Sequence, residues 1–466
     1  MLNIDRLETT VAAQMHSARI PGLALAIITD HELQYARGFG VTTTVDGAVP
    51  VTADTLFRIG SISKTLTATL IMRLVEAGAL DLDAAIIDYI PWLSIRSGDI
   101  RTITLRTLMS MTSGLVEGSV ATAEYPLPPL RQRRDLRSLE EHIRDDFPYQ
   151  FAVAPPRAIW WYNTGGTNLT GHIAEVAGKR PFADLMHERV LAPLGMTHTM
   201  YDPSVAMTYP VALPHAILPD GSVTVERNPL DYVWMYPSAF AFSTVRDLAQ
   251  IALLHLRSAT LNGSRFLTAE SIAQMQKPHG VVGTATQLNY GLNLFLDTYK
   301  GVRRVGHDGV YFASRSKFVV APDAGVGLVI LHNRGEEWRV AREALLDALF
   351  DELLNLAPKS PPPPTTRPGF FRGEAGIYQN LEDGERIRLH ILAGSLHVAV
   401  QDHIIPLRPI TETLAIGARP PDCNLPSAPY IPTPTLGIEA RPETADGTGF
   451  LMLNGKPYRR RDADAR

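Results

Sequence analysis

Six prolines among the twelve residues Pro358 to Gly369 (Pro-Lys-Ser-Pro-Pro-Pro-Pro-Thr-Thr-Arg-Pro-Gly) constrain this chain more than any other stretch. Proline lacks a backbone N–H and fixes φ, so such a run enters neither a helix interior nor a central strand and forms an extended spacer. The expected organisation is therefore one domain over residues 1–357, a linker over 358–370 and a second domain over 371–466. With 466 residues, 45% of them hydrophobic, neither unit is short of core material.

The first unit reads as α+β. Leu7, Val11 and Met15 mark an amphipathic opening helix. Two strands follow, Leu23 to Thr29 and Leu33 to Gly38, joined at Asp30-His31, and two more flank the turn Pro322-Asp323-Ala324-Gly325. Helical stretches lie between them, at Leu66 to Gly78, Leu105 to Met111, Asn168 to Gly178 and Val245 to Leu256, and Val340 to Leu356 closes the unit. Strands from both chain ends imply an antiparallel sheet flanked by helices. After the linker, alternating stretches such as Arg386 to Ile391 and Ser395 to Val400 read as a small all-β unit.

Charge and composition narrow the function. Forty-four basic against 48 acidic side chains leave a net charge of −4 with no basic stripe, which argues against nucleic acid as a partner, and no apolar run approaches the roughly 18 residues of a membrane span. Acidic residues stand where a signal peptide needs a basic start, so the chain is expected to be cytoplasmic. The single cysteine, Cys423, has no activating histidine beside it and reads as incidental. His187-Glu188 lacks a second histidine at metal-site spacing, Gly38-Phe39-Gly40 lacks a third glycine, and no Gly-x-Ser-x-Gly elbow occurs; neither a metal nor another cofactor is expected.

Ser61-Ile62-Ser63-Lys64 lies between an extended segment, Leu56 to Gly60, and a helical run. Serine and lysine three apart at a helix start share a face, the hydroxyl sits at the positive end of the helix dipole, and a lysine supplies the partner that a weakly nucleophilic serine needs. A serine cap with a solvated lysine is the competing structural reading. Ser314-Arg315-Ser316-Lys317 repeats the spacing but leads into a strand, where residues three apart point to opposite faces.

At this point the sequence resembles the penicillin-recognising serine hydrolases: class C β-lactamases, D-alanyl-D-alanine carboxypeptidases, D-aminopeptidases and β-lactamase-like esterases, over about residues 5 to 355. Ser61 and Lys64 fill that family's Ser-x-x-Lys motif. The run Pro155 to Gly171 is similar to its tyrosine-bearing motif and places Tyr162 on the tyrosine, with Thr164 where asparagine is usual; a shifted register would put Asn163 on the asparagine but Trp161 on the tyrosine. His307-Asp308-Gly309 is similar to the His-x-Gly form of the third motif. The resemblance implies Ser61 as nucleophile, Lys64 and Tyr162 as acid–base partners, oxyanion donors at the N–H groups of Ser61 and Val310, and Thr164, His307 and Gly309 lining the substrate site. It implies small esters, amides or short peptides as substrates through an acyl-enzyme, with an acyltransferase or a non-catalytic penicillin-binding-like sensor as alternatives. Histidine at 307 removes a permanent cation near a substrate carboxylate, so strong β-lactamase activity is not expected. Arg131, Arg133, Arg134 and Arg137 read as a solvated helix rather than a specificity lid. The C-terminal unit resembles the lipocalin-like barrel appended to such hydrolases, and a homo-oligomer is compatible with it.

Overall fold

Residues Leu23 to Ile28 form an unbroken buried apolar run, which only a strand covered on both faces can accommodate. In the computed structural model, residues 3–115, 138–218, 222–227, 231–256, 260–261, 264–283, 288–335 and 339–357 are described, followed by 376–380, 386–392, 395–400, 403–409, 414–418, 435–441, 450–453 and 456–461. The linker, Cys423 and the arginines at 131, 133, 134 and 137 lie outside the described residues.

The main sheet has eight strands: β1 (Gly22–Thr29), β2 (Glu32–Gly40), β3 (Gly280–Gly283), β4 (Leu288–Tyr290), β5 (Phe295–Tyr299), β6 (Val302–Tyr311), β7 (Ser314–Ala321) and β8 (Val326–His332). Their order is β2-β1-β8-β7-β6-β5-β4-β3, and every pairing is antiparallel. Asp30 and His31 take positive φ (51° and 59°), so the β1–β2 hairpin turns where the sequence places it. Strands β3 to β5 were not legible, because their few residues are interrupted by Gly291, Asn293 and a turn at Lys300-Gly301.

Each face of the sheet is covered. Leu23, Leu25 and Ile27 pack with α1 (Ile4–Ser17), through Leu7, Val11 and Met15, and with the closing helix (Arg339–Leu354), through Leu345, Leu346, Leu349 and Phe350. Ala24, Ala26 and Ile28 face the larger core, to which α2 (Ile62–Glu76), α3 (Thr164–Gly178) and α4 (Val245–Leu256) contribute. Helix α2 lies inside this core and is buried almost all round, which is why its polar residues are bonded rather than solvated. Thr65 Oγ1 donates to the Asn293 carbonyl (3.0 Å), Thr67 Oγ1 donates to that of Pro237 (2.7 Å), and Ser63 Oγ accepts from Ala241 N–H (3.2 Å). These bonds fix the start of α2 against the segment Pro237 to Ala241 and the β4–β5 turn at Asn293.

Among the described residues from Gly376 onward stands a second, nine-stranded antiparallel sheet. Numbered in chain order from Gly376–Asn380 to Lys456–Arg461, its strands run 4-3-2-1-9-8-7-6-5. The small C-terminal β region read from the alternating pattern is therefore present.

Candidate active site

The segment entering α2 is pinned from two sides. Phe57–Arg58 pairs with Phe242–Ser243, and the Ile59 carbonyl accepts from Ser316 Oγ at 2.7 Å. Gly60 then turns with φ +51°. Ser61 holds the N-cap position of α2, yet its side chain makes no capping bond. Instead Ser61 Oγ accepts from Lys64 Nζ at 3.2 Å, and the same ammonium donates to the Ser238 carbonyl at 3.0 Å. The simple-cap reading of Ser61 thus fails on geometry, and the solvated-lysine reading fails because Lys64 is fully buried.

Two glycines let β6 approach this turn. A Cβ at Gly309 would stand 1.9 Å from the Ile59 oxygen and 2.1 Å from Ser316 Oγ, and a Cβ at Gly60 would stand 2.5 Å from the Val310 nitrogen. Only glycine fits at either position. Their contact sets the backbone nitrogen of Val310 beside the turn that carries Ser61 N–H, while the Val310 side chain remains half exposed.

Tyr162 is half-buried, and Lys64 Nζ lies 4.9 Å from its ring centroid. Trp161 instead sits with Ala154 and Ile159 in a separate apolar cluster. The asparagine of the shifted register is committed elsewhere: Asn163 caps α3 by accepting from Gly166 N–H, and its Nδ2 donates to the Leu115 carbonyl at 3.0 Å. Thr164 is the first residue of α3 and is half-buried. Of the two aromatic residues the registers offer, Tyr162 is the one that lies beside Lys64.

His307 lies on β6 opposite Tyr162, with the ring centroids 6.3 Å apart. Its Nδ1 is 2.6 Å from the Asp308 carbonyl, which can only accept, so Nδ1 carries the proton. In the neutral ring Nε2 therefore accepts from Tyr290 Oη, 2.9 Å away. Burial pushes His307 down to about 4, the nearby Lys64 charge adding to this and the Asp308 carbonyl opposing it. The imidazole is neutral near pH 7 with both nitrogens occupied. Tyr290, fully buried, escaped the sequence reading: it meets His307 only through the β4–β5–β6 pairing, so no short-range spacing could reveal it.

Behind β6 lies a group of four charges. Asp308 stands 3.2 Å from Lys317 Nζ and 3.4 Å from Arg342, Lys317 stands 2.7 Å from Glu343, and Arg342 stands 2.9 Å from Glu343. Burial pushes the Asp308 carboxyl up, but Lys317 and Arg342 outweigh that and hold it well below the usual carboxylate range. These pairs tie β6, β7 and the closing helix together at the residue whose carbonyl orients His307.

Residues 7–352 match the family model described as Beta-lactamase. The chain belongs to this family of penicillin-recognising serine hydrolases. Penicillin-binding protein 4 of Amycolatopsis lactamdurans is 31% identical to this beta-lactamase-family chain over 378 residues, covering 77% of the chain and 93% of the relative. The crystal structure of SurE superposes with a TM-score of 0.73 at 22% identity, covering 98% of this chain and 99% of that one. A structure titled EstCE1, a hydrolase with promiscuous acyltransferase activity, gives 0.63 at 20% identity over 74% and 97%. At these identities the two structures speak for the fold. The family accounts for the α+β architecture with its antiparallel sheet and flanking helices. No helix among the described residues is long and apolar enough to cross a membrane.

Proposed function

We propose that the protein hydrolyses small esters or amides through an acyl-enzyme on Ser61. The observation that carries this reading is the buried Lys64 ammonium, which donates to Ser61 Oγ and lies over the Tyr162 ring. Ser61 Oγ attacks the substrate carbonyl and its proton passes to Tyr162, which acts as a phenolate stabilised by the Lys64 ammonium. The carbonyl oxygen becomes an oxyanion held by the N–H groups of Ser61 and Val310, each such donor being worth about 10²–10³ in rate. As the tetrahedral species collapses, the bond to the leaving group breaks and Tyr162 returns the proton to it. Tyr162, a phenolate again, then takes a proton from water as that water attacks the acyl carbon; the second tetrahedral species collapses by breaking the bond to Ser61 Oγ, which recovers the proton from Tyr162 as the acid leaves. His307, neutral and hydrogen-bonded at both nitrogens, lines the site without exchanging protons.

The test is intact-mass analysis after a fluorophosphonate probe. One adduct that disappears in Ser61→Ala supports the assignment, and an adduct retained in that variant overturns it. The likeness to a hydrolase with acyltransferase activity favours a second reading, in which an alcohol or amine replaces water in the last step. Product analysis with a competing nucleophile separates the two.

We further propose that the chain divides into a hydrolase domain (1–357), a linker (358–370) and a C-terminal domain (371–466) built as a lipocalin-like barrel. In support of the barrel, the sheet's two edge strands, His403–Pro406 and Arg408–Pro409, are separated in sequence only by Leu407, as in a meander rolled until its edges meet.

A further inference from the structure

Arg58 stands three residues before Ser61, and the mechanism above gives it no task. It is only 7% exposed, so its cation is held within the protein. The guanidinium carbon lies 4.1 Å from the ring centre of Phe240, 4.2 Å from that of Phe242 and 4.5 Å from that of Tyr311. Nη1 is buried and meets no hydrogen-bond acceptor among the described residues. Asp231, a carboxylate whose field reaches Arg58, accepts from Tyr236 Oη at 2.8 Å. Burying a cation forfeits its hydration, and here the faces of three rings offset that loss. A methionine of similar length would fill the same space without forfeiting hydration, so packing alone does not call for arginine.

The rings come from two segments whose relative placement matters to the reaction. Phe242 is the cross-strand partner of Arg58, and Phe240 lies two residues before it. Tyr311 instead follows Val310 at the end of β6, and the backbone turns directly afterwards, at Phe312 with φ +46°. Val310 is therefore held from both sides. Gly309 lies against the Ile59 backbone, and Tyr311 lies against Arg58. Ile59 and Arg58 are neighbours in the segment that delivers Ser61. The Gly309 contact sets how closely the two backbones approach, and the Arg58–Tyr311 contact resists a slide of the strand end past the turn.

We propose that Arg58 is a positioning residue for the oxyanion site: through the Tyr311 ring it holds the Val310 N–H at the separation from the Ser61 N–H that the tetrahedral species needs. The proposal rests on the reading of Ser61 as nucleophile with those two donors and adds the residue that sets their geometry. A planar guanidinium stacks on several rings at once, whereas lysine offers a compact point charge on a flexible stem. Lysine at this position keeps the attraction to a ring face and loses the planar fit.

The experiment measures p-nitrophenyl acetate turnover by the full chain, normalised to the fraction of protein that a fluorophosphonate probe labels at completion. Arg58→Met should lower kcat by about 10–10²-fold, part of the roughly 10²–10³ that one oxyanion donor is worth. KM should stay within about twofold, because acylation and deacylation use the same two donors. The inhibition constant of phenylboronic acid, whose adduct with Ser61 places an oxygen on those donors, should weaken by the same factor as kcat. Arg58→Lys should recover part of the loss. Tyr311→Leu should reproduce it and stands independently if Arg58→Met fails to fold. The double variant should be no worse than the worse single one, since both remove one contact. Losses confined to the labelled fraction, to the urea midpoint or to KM, with kcat and the boronate constant unmoved, overturn the inference while leaving Ser61 untouched. Losses in kcat that multiply in the double variant overturn it too. Turnover persisting in Ser61→Ala would instead overturn the reading on which it rests.

Discussion

The chain contains the spacing Ser-x-x-Lys twice, and the two copies show how little spacing alone determines. On α2, Ser61 and Lys64 are one helical turn apart, and the lysine donates to the serine. On β7, Ser314 and Lys317 are three strand residues apart, about 10 Å along the strand and on opposite faces. Ser314 pairs in register with Tyr311, whereas Lys317 pairs with Asp308 and turns to Glu343. Even Ser316, between them, has a structural task, holding the Ile59 carbonyl just before Ser61. The second copy supports the place where the first is proposed to work.

The strongest way to break this comparison is to remove each serine. Ser61→Ala should cost more than about 10³-fold in turnover and abolish probe labelling, whereas Ser314→Ala should keep its label. Labelling that follows Ser314 would reverse the roles of the two copies.

Next in size is the proton carrier. Tyr162→Phe should lower kcat/KM by about 10²–10⁴, the usual worth of general acid–base catalysis, while Trp161→Phe, in its separate apolar cluster, should cost far less. The opposite ranking would restore the shifted register.

The two lysines should also fail differently. Lys317→Ala removes one of the two cations that face Asp308 and Glu343, leaving both on Arg342, and should destabilise the fold by about 1–3 kcal/mol, read as a lowered midpoint in urea, while the protein that remains folded still takes the probe. The acid limb of stability carries the same signature. Because Asp308 titrates lower folded than unfolded, its contribution is complete above the unfolded value near 4 and is lost as pH falls toward the depressed one. Asp308→Asn should flatten that part of the stability curve; an unchanged slope would show that other carboxylates set it.

These contrasts also mark what was legible in the sequence. The helices and the strands at both chain ends could be read because their apolar periods are long: Val245–Leu256 appears where the pattern places it. The edge half of the sheet could not, since β3, β4 and β5 have five residues or fewer. Ser61 and Lys64 were legible because their relation is local. Tyr290, the Ser238 carbonyl and the Asp308–Lys317–Arg342–Glu343 group reach the site through register and packing, which no spacing encodes.

The smallest expected effect tests charge beside the reacting bond. Both nitrogens of His307 are engaged and its charge is absent near pH 7, so it offers no cation to a carboxylate adjacent to the scissile amide. The carboxylate of benzylpenicillin lies at that adjacent position. Short neutral esters should therefore exceed benzylpenicillin by at least about tenfold in kcat/KM, near 1.4 kcal/mol of transition-state preference. His307→Lys should narrow the gap by restoring a cation, although it also forfeits the bond from Tyr290. Tyr290→Phe separates those two consequences, because it removes the same bond without adding charge. If Tyr290→Phe narrows the gap as much as His307→Lys does, the hydrogen bond rather than the missing cation sets the preference, and the charge argument falls.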